Sequence, residues 1–378
     1  MNYCLRQYDI PLIEFSADDG AEMNIVVLKI YEENRFLIPL EIKEVSSESI
    51  ESWLRHRTIP KNRAYFSNVL SSTGLNYNRQ INIIRFSKGL SLNDSYWVTE
   101  EGFDGDYSDY NLYENNFSRV LGVIAFTGYG SNSGKIISSS PEFTTNGMLP
   151  KCWRRINGDV LLYKGGTEGG YNTGYEPFSE YYASKIAETI DVNAIPYNIS
   201  KWKGRLCSTC KLFTDIDHSF VPVGRLVTSG GMKAVREFYT GLGEEYLNAL
   251  NDMIVFDALI YNTDRHFGNF GFIVDNHTNT IVSPAPLFDH GNALFNYAGR
   301  DDLAGFDALA KYAGTLVPST YDDYLSEAAL SLTHDMRQRL RRLLDYKIPR
   351  HSRYNLPSDR LQLIEKMIRV RTQKLLDC

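Results

Sequence analysis

IYNTDRHFGNFGFIV, residues 260–274, sets Asp264, Arg265, His266 and Asn269 between two apolar runs, FDALIY and FGFIV. Polar groups inside such a run need partners or a ligand, because burying an unpaired one is costly. Asp264 and Asn269 stand at a D-x-x-x-x-N spacing, and Asp289 follows in LFDHG beyond a predicted hairpin. Upstream, Lys164 ends a strand-like run and Glu180 lies on the helix expected next. Strand lysine, helix glutamate, D-x-x-x-x-N loop, hairpin, aspartate: this order matches the set that phosphoryl transfer from ATP uses.

Each residue type suits its place. The transferred group spreads charge over three oxygens, so catalysis is mostly positioning and neutralisation. Mg²⁺ takes oxygen ligands and keeps several waters, so carboxylates plus an amide oxygen suffice. Asp289 is expected as the principal metal ligand, with Asn269 beside it. Asp264 is expected to orient the attacking hydroxyl or accept its proton. Lys164 would hold nucleotide phosphates and Glu180 would fix Lys164 by an ion pair, with Glu176 as the alternative partner. The loop TTNGMLPK, 144–151, offers Thr145, Asn146, Gly147 and Lys151 to phosphate through backbone N–H groups and one ammonium. It lacks the G-x-G-x-x-G and G-K-[ST] patterns of other nucleotide loops.

Outward from these residues, the chain reads in three parts. Residues 1–130 form a β-rich front in which NIVVLKIY and QINIIRF look like strands and SSESIESWLRHR like a Ser-capped helix. A Gly/Ser/Asn-rich stretch, 127–141, leads into a second part, 131–225. There the dipeptide Asn157-Gly158 predicts a hairpin with arms KCWRRI and VLLYK. EPFSEYYASKIAETI then predicts a helix with Pro177 in its first turn. IPYNISKWKG and RLCSTCKLFT follow as strands, with Cys207 and Cys210 expected to be ordinary strand residues rather than zinc ligands. The third part, 226–378, is helical and carries one hairpin, GFIVD and TIVSP. The fold class is α+β: a small sheet with one helix, then a helical lobe.

Composition excludes several other readings. The 378 residues are 43% hydrophobic and 23% charged, as in ordinary globular chains. The net charge of -6 leaves no basic footprint for nucleic acid, and no run of apolar residues is long enough for a membrane span. The N-terminus, MNYCLRQYDIPL, does not read as a signal peptide. Five cysteines, an odd number thinly spread, argue against a disulfide framework, and a reducing cytoplasm is the simplest address.

NTDRHFGNFGFIV followed by PLFDHG closely resembles the catalytic segment of HipA-like kinases, at Asp264, His266, Asn269 and Asp289. EPFSEYYASKIAETIDVNAIP resembles that family's helix, and TTNGMLPKCWRRINGDVLLYK its glycine-lysine loop and lysine strand, with Gly147 and Lys151 as loop positions. The resemblance implies a two-lobed protein-kinase-like fold, ATP and Mg²⁺, and phosphorylation of serine or threonine in protein targets. It places His266 among the catalytic residues. It also implies a bacterial toxin–antitoxin setting with an antitoxin-like partner, and self-phosphorylation within the phosphate loop. Ser138, Ser139, Ser140, Thr144 and Thr145 are the candidate acceptors here.

Three other readings stay open. D-R-H-x-x-N also looks like the catalytic loop of phosphoinositide kinases, which implies a lipid or small-molecule acceptor. A nucleotide-binding module without catalysis would use the same pocket residues. A metal hydrolase built on His266, His290 and Asp289 would leave Lys164 without a role.

Overall fold

A computed structural model of the protein describes residues 1–130, 140–170 and 172–378. The chain forms two compact units. The first comprises Met1–Lys164, Lys211–Val221 and Ile273–Val282; the second comprises Gly165–Cys210, Pro222–Phe272 and Ser283–Cys378.

The first unit opens with an antiparallel sheet in the order Val26–Ile30, Ile10–Ser16, Asn2–Gln7, Tyr96–Glu100. Alternation along these strands turns Tyr3, Leu5, Ile13 and Phe15 into one apolar cluster with Tyr96 and Val98. The helix Ser47–Arg55 adds Ile50, Trp53 and Leu54 to that cluster. Its start is the Ser-capped one the sequence predicts. Ser49 donates its N–H to Ser46 Oγ at 3.2 Å, and Ser46 returns its own N–H to Ser49 Oγ at 2.9 Å.

QINIIRF is not a strand. Residues Gln80–Ser87 form a helix. Ile81 and Ile84 join the sheet's cluster, while Ile83 enters a second one with Val69, Leu121 and Phe143. Isoleucine favours strands locally, but a helix lets this run bury itself in two cores at once, and packing outweighs so small a preference. Further helices at Phe66–Ser72 and Arg119–Thr127 make the front of the chain mixed rather than mainly β.

The expected hairpin is present. Lys151–Ile156 pairs with Asp159–Gly165, and Asn157 (φ 53°) and Gly158 (φ 89°) make the left-handed turn that such a tight connection requires. The helix Arg119–Thr127 packs against its first strand. A three-stranded sheet runs in the order Thr280–Pro284, Gly271–Asp275, His218–Pro222. Its predicted hairpin turns where Asp275 accepts the N–H groups of His277 and Thr278 at 2.9 and 2.8 Å.

In the second unit, the helix Glu176–Thr189 starts with Pro177 in its first turn, as expected. The hairpin Asn198–Trp202 with Arg205–Lys211 follows. Cys207 and Cys210 are buried strand residues outside any disulfide. The long helix Glu244–Ile260 packs on Gly231–Leu242, Tyr324–Ser331 and Ser358–Asp377. Among the described residues, no helix is long and apolar enough to cross a membrane.

Candidate active site

The helix Glu244–Ile260 stops at Tyr261, whose left-handed backbone (φ 54°) turns the chain into the polar stretch. One turn before that stop, Asp257 is fully buried in an otherwise apolar run. Its carboxylate is completely engaged. Oδ1 accepts Asn262 Nδ2 at 2.9 Å and Arg265 Nη2 at 3.1 Å, and Oδ2 accepts Arg265 Nε at 2.8 Å. Arg265 reaches further. Nη1 donates to the carbonyls of Asn269 at 3.0 Å and Phe288 at 2.6 Å, and Nη2 lies 3.0 Å from His290 Nδ1. Burial works against the Arg265 charge, but the Asp257 carboxylate outweighs it and holds the guanidinium above its ordinary range. The charge in the core is therefore a brace: one planar fork joins the end of the helix, the loop carrying Asn269 and the residue before Asp289.

The brace sets out the three expected chemical residues. Asp264 is half-buried. Its Oδ2 accepts Asn292 Nδ2 at 2.9 Å, and its N–H is held by Asn262 Oδ1 at 3.2 Å. Asn269 donates Nδ2 to the Asp264 carbonyl at 3.2 Å. That commits the amide nitrogen and turns the neutral oxygen to the other side, the atom a hard cation would use. Asp289 has a left-handed backbone (φ 59°), and its N–H donates to Tyr197 Oη at 3.2 Å. Asp289 and Asn269 offer only oxygen, which fits Mg²⁺ and not a thiolate- or imidazole-seeking ion. Among the described residues no group of three or more His, Cys, Asp or Glu side chains is placed to hold a metal ion.

His266 is exposed, and its Nδ1 accepts the Gly268 N–H at 3.1 Å. It shapes the loop between Asp264 and Asn269. His290 is buried, edge-on to Phe256 and Tyr197.

Both helix glutamates are buried. Glu180 accepts the Ser208 hydroxyl, and a Cβ on Gly291 would come within 3.7 Å of Glu180 Oε1. Glu176 is more than a flank to the helix. It accepts the Thr167 N–H at 3.2 Å, the Thr167 hydroxyl, and the Tyr297 hydroxyl at 3.0 Å.

In the first unit, Lys164 and Lys151 are direct cross-strand partners on the hairpin, and both are buried. Direct cross-strand partners point to the same face, so the two side chains leave the hairpin together. Lys151 Nζ donates to the Asn146 carbonyl at 2.8 Å. Gly147 is left-handed (φ 91°), and a Cβ there would overlap Lys151 Nζ. The loop is fastened from below by Arg63. Its guanidinium binds the Glu142 carboxylate and carbonyl and the Lys151 carbonyl, the last at 2.9 Å, while Ala64 donates its N–H to the Met148 carbonyl at 2.7 Å.

Of the candidate phosphorylation sites, Ser138 and Ser139 lie outside the described residues. Ser140 and Thr144 are buried; Thr144 donates to the Leu90 carbonyl at 2.9 Å. Thr145 donates to the Pro141 carbonyl at 2.6 Å and accepts Trp153 Nε1 at 3.1 Å. These hydroxyls are committed to the fold as described.

Asp257, Asn262, Asn292 and Tyr197 escaped the sequence reading, and Arg265 was noted without a role. Asp257 had a signal: a lone carboxylate in the apolar run MIVFDALI, followed by an arginine. Tyr197 and Asn292 had none, because their partners are reached only through the fold.

No family model matches the sequence. A stretch of 140 residues is 27% identical to serine/threonine-protein kinase CtkA of Helicobacter pylori, covering 33% of this chain and 42% of that protein. The match thus spans less than half of that relative's length. Among solved structures, the Helicobacter pylori proinflammatory kinase CtkA superposes with a TM-score of 0.51 at 19% identity, covering 62% of this chain and 90% of that one. A chain of the Shewanella oneidensis MR-1 toxin–antitoxin complex of HipA, HipB and operator DNA superposes with a TM-score of 0.57 at 13% identity, covering 100% and 99%. At these identities the superpositions show a shared fold.

Proposed function

We propose, from the premise that this chain is related to the HipA-like kinases, that it transfers the γ-phosphoryl group of ATP to serine or threonine hydroxyls of a protein, with Mg²⁺ as the metal. The observation that carries this reading is the Arg265 brace, which ties the backbone of Asn269 to that of Phe288, next to Asp289. That arrangement supports two oxygen ligands arriving in one fixed register, beside a carboxylate oriented by Asn292.

In this reading Asp264 orients the attacking hydroxyl and takes its proton. Asn292 keeps that carboxylate from rotating. Asn269 and Asp289 hold the metal, which when bound neutralises phosphate charge. Lys164 and Lys151 bind nucleotide phosphates, with Thr145, Asn146 and Gly147 shaping the backbone around them. Glu180 fixes Lys164. Loop self-phosphorylation would require the hydroxyls of Thr144 or Thr145 to leave their present acceptors. A protein acceptor is favoured by the naming of the sequence relative as a serine/threonine-protein kinase. An antitoxin-like protein partner is favoured by the HipA–HipB neighbour.

The test is binding with metal. ATP with Mg²⁺ should raise the melting temperature well above the rise given by ATP with EDTA, and Asp289→Ala should erase that difference. No ATP-dependent rise in the wild type would overturn the reading.

A further inference from the structure

The chain after the helix Glu176–Thr189 runs beside the segment that leads into Asp289. Ala194 and Leu287 form an isolated parallel bridge. Leu287 donates its N–H to the Asn193 carbonyl at 2.8 Å, and Ile195 donates its N–H to the Leu287 carbonyl, also at 2.8 Å. The two segments therefore advance in step, and the same register sets Pro196 opposite Asp289, with Tyr197 next in the chain. There the ladder stops, because Asp289 takes a left-handed backbone that cannot continue it. Its N–H needs another acceptor, and Tyr197 Oη supplies it at 3.2 Å. The phenol ring is buried and edge-on to His290, with centroids 6.3 Å apart, so the hydroxyl has little freedom to move.

We infer that Tyr197 is a positioning residue for Asp289: its hydroxyl fixes the left-handed backbone from which the Asp289 carboxylate reaches the metal. This rests on the reading of Asp289 as a metal ligand. The Phe288 carbonyl accepts from Arg265, so Arg265 and Tyr197 grip the two ends of the single peptide unit that joins Phe288 to Asp289. A ligand gripped on both sides meets the cation without first being ordered.

Tyr197→Phe removes the acceptor and keeps the ring. Tyr182→Phe serves as the control. It loses a hydroxyl that accepts the Leu356 N–H at 3.3 Å, elsewhere in the same unit. Two readouts apply. Hydrogen exchange of a peptide spanning residues 285–291 should speed up in Tyr197→Phe alone. The Mg²⁺ concentration that half-saturates the ATP-dependent thermal shift should rise about tenfold or more in Tyr197→Phe and stay put in Tyr182→Phe. An unchanged Mg²⁺ midpoint and unchanged exchange in a folded Tyr197→Phe overturn the inference while leaving the kinase reading intact. Equal shifts in both variants reduce Tyr197 to a structural role and overturn it too. A wild type with no Mg²⁺- and ATP-dependent shift removes the kinase reading, and the inference falls with it.

Discussion

Asp257 and Arg265 meet at 2.8 Å with their side chains 0% and 1% exposed. A buried ion pair adds little stability by itself, because desolvation offsets attraction. Its worth here lies in the donors left over. The same guanidinium binds the carbonyls of Asn269 and Phe288, so the pair converts one helix end into the reference point for both expected metal ligands.

Breaking that pair from one side should be severe. Arg265→Ala leaves the Asp257 carboxylate buried without its counter-charge, at a cost of about 3–5 kcal/mol in urea unfolding. Arg265→Lys should restore little, since one ammonium cannot serve a carboxylate and two carbonyls together. A loss below about 1 kcal/mol for Arg265→Ala would contradict the brace, being the range of an exposed pair.

Asp264 and Asn292 separate chemistry from stability. Asp264→Asn should leave the melting temperature nearly unchanged while lowering phosphoryl transfer by about 10²-fold or more. Asn292→Ala should slow transfer less and leave the KM for ATP alone, because it frees the carboxylate to rotate without touching the nucleotide. Steady-state kinetics on both variants decide this. An Asn292→Ala effect seen only in KM would count against it.

The loop at Gly147 makes a steric prediction. Gly147→Ala puts a Cβ onto Lys151 Nζ and demands a left-handed backbone from alanine. It should cost about 1 kcal/mol of stability. It should also weaken ATP binding measured by calorimetry, because Lys151 must move. Lys164→Met should abolish that binding with the fold retained. ATP affinity unchanged in both variants would remove this loop and strand from the nucleotide site.

Acid should loosen the support under the loop that carries Asp264. Asp323 caps the helix Tyr324–Ser331 by accepting the Ser326 N–H at 2.7 Å, and that helix's Tyr324 donates its hydroxyl to the Asn262 carbonyl at 2.7 Å. The backbone N–H of Ser326 lowers the Asp323 pKa below its ordinary value of 3.8. The folded state thus favours the carboxylate. This stabilisation is complete above the unfolded value and fades as pH falls through the lower folded one. Asp323→Asn should therefore be less stable than the wild type near neutrality, with the gap closing below pH 3.8. A gap that does not depend on pH would show that capping by the charge plays no part.

The path from Lys151 to Asp289 was legible because each step has local chemistry. Asn157-Gly158 dictates its turn, Pro177 marks a helix start, and Asp275 accepts the N–H groups that close the second hairpin. QINIIRF was misread because its isoleucines serve two cores, which a period-2 or propensity reading cannot reveal. Arg265 carried no assigned role because two of its partners are backbone carbonyls, and a carbonyl leaves no trace in the residue letters. Tyr197 read as a strand tyrosine. Its link to Asp289 arises from a parallel bridge between segments far apart in sequence.

The central claim is phosphoryl transfer dependent on Asp264. Purified wild type and Asp264→Asn should be incubated with γ-labelled ATP and Mg²⁺, with and without a lysate of candidate acceptors, and label mapped by mass spectrometry. The account predicts label on serine or threonine with the wild type and a loss of about 10²-fold or more with Asp264→Asn. No transfer by the wild type, or equal transfer by both proteins, would contradict it.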